Sequence, residues 1–144
     1  MSAAALDWTD ANQQLMSAEL AWLRRRLDAD APLPDNSRAA IDAAADLLSA
    51  PAAIDTLAQL FDLSMFERQL LLLCAGVEMD DQLAATCARR HGHDGRRHVT
   101  FGLALAALPG AHWSALTPVR PLRRWRLIEV ESGLRLQPLE PCLL

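Results

Sequence analysis

The N-terminal part of the chain places its apolar residues at the spacing of an α-helix, over residues 9–29. Those apolar positions are Trp8, Leu15, Leu20, Trp22, Leu23 and Leu27. Their three- to seven-residue spacing puts them on one face of the helix, and Thr9 or Asp7 is placed to cap it. We therefore predict that residues 1–30 contain an N-terminal amphipathic helix.

Two shorter helices are predicted after a linker. Residues 29–37 contain two prolines two positions apart and resist helix formation, so we expect a linker there. Ser37 then opens an alanine-rich helix, and Pro51 lies at or near the first turn of the next one. The apolar positions of these two helices are Ile41, Ala44, Ala45 and Leu48, then Ile54, Leu57, Ala58 and Phe61.

The clearest local signal is a capping box at Ser64 and Glu67. In such a box the serine hydroxyl accepts from the backbone N–H three residues later, and the glutamate returns to the serine N–H. The helix that it starts is apolar nearly all round to about Val77, which predicts a buried central helix. Gly76 marks either its end or a close backbone contact.

The next segment predicts a helix followed by a polar loop. Asp80 or Asp81 can cap a helix that runs through about Arg90. Residues 91–98 (HGHDGRRH) hold two glycines and many charges, so they predict an exposed loop.

The C-terminal part predicts a winged-helix arrangement. Thr100 caps a helix through Leu108, residues 112–116 form a short helical turn, and Pro121 starts an arginine-rich third helix. Two β-favouring stretches, 127–130 and 134–136, flank Glu131-Ser132-Gly133 and predict a terminal β-hairpin, the wing. The expected fold is mainly α, a helical bundle with a winged-helix-like C-terminal part. We expect residues 38–144 to form one compact unit with the first helix.

Composition excludes several functions. All fourteen basic residues are arginine, so the chain has neither the lysine nor the GxxxxGK[ST] pattern of a P-loop. We therefore expect no enzyme activity and no cofactor in this chain. The longest apolar run, residues 70–77, is far too short for a membrane span, and the N-terminus lacks a secretory signal. These features predict a cytoplasmic protein without membrane association.

The charge is unevenly distributed along the chain. Residues 1–81 hold fourteen acidic residues and five arginines, a formal charge of −9. Residues 82–144 hold nine arginines and four acidic residues, a formal charge of +5. This separation indicates either a basic side that faces a partner, or two halves that attract each other.

Two groups of residues could carry site chemistry. Candidate metal ligands are Cys87, His91, His93 and His98. Their spacing departs from the regular pairs of structural zinc sites, so we expect no physiological metal site there. A catalytic pair of His112 and Ser114 is disfavoured as well, because residues two apart on a helix point in different directions.

A basic cluster near the C-terminus surrounds Trp125. Its members are Arg120, Arg123, Arg124 and Arg126. In a DNA-binding winged helix they would enter the major groove. The alternative is that Arg123 and Arg126 pair with the acidic half while Trp125 joins the core, as the four tryptophans are expected to do. Since the whole chain is acidic, we favour a protein contact over specific nucleic-acid binding.

Residues 63–79 (LSMFERQLLLLCAGVEM) and 100–130 (TFGLALAALPGAHWSALTPVRPLRRWRLIEV) carry a family resemblance. They resemble the winged-helix region that precedes the AAA module in bacterial ATPases encoded with phage-tail-like contractile injection systems. The stretch ANQQL…AELAWLRRRL resembles that family's leading helix, so the resemblance covers about half the chain. It implies a non-catalytic domain that recognises a protein partner, either the AAA module or an injection-system component. The alternatives are a DNA-binding winged-helix regulator and a metal-binding module.

Overall fold

The computed structural model describes residues 7–29, 33–92, 97–130 and 135–138. Helix α1 spans Trp8–Asp28 and is capped by Asp7, whose carboxylate accepts from the Asp10 backbone N–H. It packs against α2 (Ala39–Ala45), α4 (Met65–Met79) and α5 (Asp81–His91). Helix α3 (Ala53–Leu60) packs against α4. The expected division into residues 1–30 and 38–144 stays a prediction.

The predicted linker is partly helical, which corrects the expectation for residues 29–37. Asp35–Arg38 form a 3-10 turn, and α2 begins only at Ala39. Ser37 does not cap α2, because its hydroxyl accepts a hydrogen bond from Trp22 Nε1 at 3.2 Å and its carbonyl accepts from Arg25. The turn therefore attaches the start of α2 to α1 through Trp22 and Arg25.

Helix α4 is the buried central helix, as predicted. The capping box is present, with Ser64 Oγ accepting from Glu67 N and Glu67 Oε1 accepting from Ser64 N. Every residue from Phe66 to Gly76 is buried, and the helix runs to Met79, two residues past the predicted end. Gly76 marks a close contact, because a Cβ there would lie 2.5 Å from Leu20 Cδ2 and 2.7 Å from a Leu83 methyl. Asp80 caps α5.

The C-terminal part has the sheet order of a winged helix. Strands β1 (Val99–Thr100), β2 (Ile128–Val130) and β3 (Arg135–Pro138) form an antiparallel sheet in the order β1-β3-β2. The hairpin of β2 and β3 was predicted and is confirmed, although residues 131–134 at its turn lie outside the described residues. The sequence did not predict β1, whose two residues are too few to show periodicity.

Helix α6 (Phe101–Ala107) begins directly after β1, with Thr100 as its cap, as predicted. The short helical turn and the third helix are both present where the sequence predicts them, but the third helix is only one turn long. Trp113–Leu116 form a 3-10 turn, and helix α7 covers only Pro121–Arg124. Pro118 lies between the two pieces and keeps them apart, because a proline in a helix interior removes a hydrogen bond and clashes with the preceding turn. Pro121 lies at the start of α7, where a proline is tolerated. Within the described part of the chain, no helix is long and apolar enough to cross a membrane.

Candidate partner-binding face

The start of α4 supports the segment that contains the short third helix. Arg120 Nε donates to Glu67 Oε2 at 3.1 Å, and its Nη2 donates to Glu67 Oε1. Burial alone would raise the pKa of the Glu67 carboxyl, but hydrogen bonds from Arg120 and Ser64 bring it below its ordinary value. The hydrogen bond with Glu67 also raises the pKa of the Arg120 guanidinium. Glu67 is buried and Arg120 is partly exposed, so their ion pair attaches the surface segment to the core.

His112 adds a second attachment at the same place. Its Nε2 lies 2.9 Å from Ser64 Oγ, its Nδ1 lies 2.8 Å from Ser114 Oγ, and its ring packs edge-on against Phe66. The expectation that His112 and Ser114 point apart is wrong, because His112 precedes a 3-10 turn and is not inside an α-helix. The ring nitrogens contact two serine hydroxyls and no carboxylate among the described residues, so the orienting acid of a catalytic triad is not found there.

Two of the four tryptophans are exposed, which corrects the expectation that all four join the core. Trp113 is 77% exposed and packs on Phe101, and Trp125 is 52% exposed and packs on Phe61. Trp22 is buried as expected. Each exposed ring thus packs against one aromatic neighbour and stays partly accessible to solvent.

The arginines beside Trp125 are also exposed. Arg123 Nη1 donates to the Leu116 carbonyl at 3.0 Å, and the Arg124 guanidinium lies 5.1 Å from the centre of the Trp125 ring. Arg126 is exposed and has a positive φ of 54°. Among the described residues, Arg120 makes an ion pair with the acidic half, whereas the expected pairing of Arg123 and Arg126 with that half is not found.

We call this surface the Arg–Trp face. It comprises Trp113, Val119, Arg123, Arg124, Trp125 and Arg126. The sequence indicated its arginines, but it gave no sign that the two tryptophans would be exposed beside them. Aromatic residues and arginine are the types enriched at protein interfaces and at their energetic centres.

The geometry of the Arg–Trp face does not fit the way in which winged-helix proteins usually bind DNA. In that mode a continuous recognition helix lies in the major groove and presents several side chains to base edges. Helix α7 has four residues and is about 6 Å long at 1.5 Å per residue. It cannot place Arg120, Arg123 and Arg126 along a groove as one helix face, because Arg120 is held by Glu67 and Arg126 lies beyond the helix end.

The candidate metal ligands do not converge in the described structure. Cys87 is fully buried in the core, and burial raises the pKa of its thiol to about 12, which disfavours the thiolate that binds metal. His91 Nε2 lies 3.0 Å from the His98 carbonyl oxygen, and His93 lies outside the described residues. In the ranges that the structure describes, there is no group of three side chains able to hold a metal ion.

The helices that precede β1, the sheet order β1-β3-β2 and the terminal hairpin together define a winged-helix protein. The chain matches the family described as "Winged helix domain, variant" over residues 3–140, and it belongs to that family. Neither the curated proteins nor the solved structures contain a match.

Proposed function

We propose that this winged helix is a non-catalytic protein-interaction domain that binds its partner through the Arg–Trp face. The observation that supports it best is that a 3-10 turn and the four-residue helix α7 stand in place of a long recognition helix, with Trp113 and Trp125 exposed. Aromatic rings that already pack against a neighbour lose little entropy on binding and bury a large area, and the arginines beside them form no ion pair within the described residues.

We propose further that the domain recognises partners for an AAA-type ATPase linked to a contractile injection system. This context is supported only by the resemblance of residues 63–79 and 100–130 to the N-terminal region of those ATPases. The partner is then the AAA module or an injection-system component. Sequencing the reading frame beyond residue 144 tests the context, since an in-frame GxxxxGK[ST] motif would identify the ATPase core.

The proposal is tested first against DNA binding, its main alternative. The chain is titrated at physiological salt into a labelled duplex obtained by selection and into a random duplex. We expect weak binding that falls with salt and shows no preference, because the arginines then contact phosphates only. A preference of about a thousandfold or more would match a specific regulator and overturn the proposal.

The face itself is tested by charge reversal. The immobilised chain captures partners from the source cells, and we compare the parent with the Arg123→Glu/Arg124→Glu variant. The control is Arg26→Glu, a charge reversal on α1 at a residue that takes part in none of the ion pairs of the described ranges. We expect the parent and the control to capture the same proteins and the face variant to lose them while its circular dichroism is unchanged. Equal capture by all three would place the binding surface elsewhere.

A further inference from the structure

Helices α1 and α5 enclose a polar groove that shares no residue with the Arg–Trp face. Its volume is about 460 Å³. Each helix contributes residues at the spacing i, i+3, i+4 and i+7, which is one face of a helix over two turns. The lining residues are Ala21, Arg24, Arg25 and Asp28 of α1, and Gln82, Ala85, Thr86 and Arg89 of α5. We call this surface the α1–α5 groove, and it follows the axes of both helices.

The two helices run in the same direction along the groove. Arg24 Nη1 donates to Gln82 Oε1, and further along both helices Arg89 Nη2 lies 3.3 Å from the carboxylate oxygens of Asp28. The residue numbers of the partners rise together, which is the pattern of parallel helices. On each helix the lining residues span about 10 Å, given a rise of about 1.5 Å per residue. The groove is therefore about two helical turns long.

The α1–α5 groove carries a positive charge that the described chain does not neutralise. Three arginines and one aspartate line it, so its formal charge is +2. Arg89 pairs with Asp28. Arg24 and Arg25 instead donate to a neutral side chain and to a backbone carbonyl, and no ion pair within the described parts of the chain includes either of them. The charge complementary to this groove is that of carboxylates on another molecule.

The helix ends explain only part of this arrangement. Arg25, Arg26 and Arg89 lie in the last turns of their helices, where cations are stabilised by the helix dipole. Arg26 has that position without lining the groove. Arg24, however, precedes the last turn of α1 and contacts Gln82 across the groove. The dipole therefore does not account for the position of Arg24.

From these observations we infer that the α1–α5 groove binds a short acidic helix of a protein partner. The inference goes beyond the proposed function and does not rest on it, since it concerns a different surface. Residues three or four apart on a helix have their Cβ atoms about 5–6 Å apart, so a docked helix brings two or three carboxylates into a groove of this length. The small side chains of Ala21 and Ala85 leave room for close packing of a third helix.

Duplex DNA fits this groove less well than an acidic helix does. It carries one negative charge per about 1.7 Å of its axis and is bound through many phosphate contacts. The α1–α5 groove offers three arginines over two helical turns, together with the Asp28 carboxylate, which repels phosphates. The limited length of the positive surface therefore favours a few carboxylates over a continuous polyanion.

Fluorescence anisotropy with the full chain tests the inference. The probe is a labelled alanine-based peptide of about 16 residues, long enough to be partly helical, with glutamates at positions i, i+3, i+4 and i+7. We expect binding at low salt that weakens at about 500 mM salt, where charges more than roughly 4 Å apart are screened. The same peptide with glutamine in place of glutamate should not bind.

Two matched variants locate the binding surface. Arg24→Gln/Arg89→Gln removes two charges from the groove and should weaken peptide binding about fivefold or more, as expected for the loss of two exposed ion pairs. Arg123→Gln/Arg124→Gln makes the same charge change on the Arg–Trp face and should bind the peptide like the parent. Thermal melts establish that both variants are folded.

Three results would overturn the inference: a parent that does not bind the glutamate peptide, equal binding of the glutamine peptide, or a groove variant that binds like the parent. A random DNA duplex that binds the parent more tightly than the peptide, and is lost in the groove variant, would identify a phosphate site instead and reject the acidic helix. None of these results affects the proposed function, which fails by sequence-selective DNA binding.

Discussion

Glu67 and Arg68 are neighbours in the sequence, yet they connect α4 to opposite parts of the molecule. Arg68 reaches back 49 residues to Glu19 on α1, and Glu67 reaches forward 53 residues to Arg120 before α7. Successive residues on a helix point about 100° apart, given 3.6 residues per turn, so one turn of α4 serves both sides.

The two connections differ in burial. Arg68 and Glu19 are both almost fully buried, and Arg68 also donates to Asp55 and Gln69. Burial lowers the pKa of the Arg68 guanidinium, but its hydrogen bonds with Glu19 and Asp55 raise it overall. The Glu67–Arg120 pair, in contrast, is buried at Glu67 only. We infer that the first pair holds the helices together, whereas the second positions the Arg–Trp face.

The variant expected to have the largest effect is Arg68→Ala, which removes the ion pair between Arg68 and Glu19. It leaves the buried Glu19 carboxylate without its main partner and should lower the free energy of unfolding by about 3–5 kcal/mol in urea titrations. The double variant Glu19→Leu/Arg68→Met, which removes both charges, should recover most of the loss. A loss below about 1 kcal/mol for Arg68→Ala would mean that the network contributes little to stability.

Leu72→Ala tests the apolar side of the same helix. Leu72 is fully buried, so truncation should cost about 2–5 kcal/mol through lost burial and the cavity left behind. Leu60→Ala is the matched control, because Leu60 is largely exposed and should change stability by less than about 0.5 kcal/mol. Equal effects of the two variants would contradict the assignment of α4 as the central helix.

Glu67→Gln tests the ion pair of Glu67 with Arg120. It should lower the free energy of unfolding by about 1–3 kcal/mol near neutral pH, the range for hydrogen bonds to a charged group. The pKa of the Glu67 carboxyl is lower in the folded chain than its ordinary value of 4.5. The ionised Glu67 carboxylate therefore contributes its full amount to the free energy of unfolding above pH 4.5. This contribution is lost as the pH falls from 4.5 toward the lower pKa of the folded state. Urea midpoints measured from pH 6 to pH 3 should fall less steeply in the variant; parallel curves would contradict the role of this carboxylate.

Ser64→Ala is expected to have the smallest effect. It removes the N-cap of α4, typically about 1 kcal/mol, together with the contact to His112. Ser64→Thr keeps a hydroxyl and should retain most of the stability. If thermal melts show Ser64→Ala to be as stable as the parent, the capping box contributes nothing measurable.

Local signals in the sequence predicted local structure. The capping box at Ser64, the cap at Thr100 and the hairpin of β2 and β3 each depend on residues a few positions apart, so their patterns can be recognised in the sequence. The start of α7 was predicted too, because Pro121 is of the residue type favoured in the first turn of a helix.

The long-range contacts could not be predicted from short patterns in the sequence. Neither the pairing of Arg68 with Glu19 nor that of Arg120 with Glu67 leaves a spacing pattern, since about fifty residues separate the partners. Whether a tryptophan is covered depends on which segment folds over it, so Trp22 and Trp113 look alike in the sequence although only Trp22 is buried.

The ends of α3 and α7 share one more feature, a Schellman motif. In each, an aromatic residue is followed by a residue of positive φ, Asp62 or Arg126, and then by a leucine whose N–H donates five residues back. Glycine is the usual residue at such a position because it has no Cβ penalty. Substitution of Arg126 by glycine would relax the backbone and at the same time remove a charge from the Arg–Trp face. Under the proposed function, Arg126→Gly is therefore expected to raise the stability of the fold and to weaken partner binding.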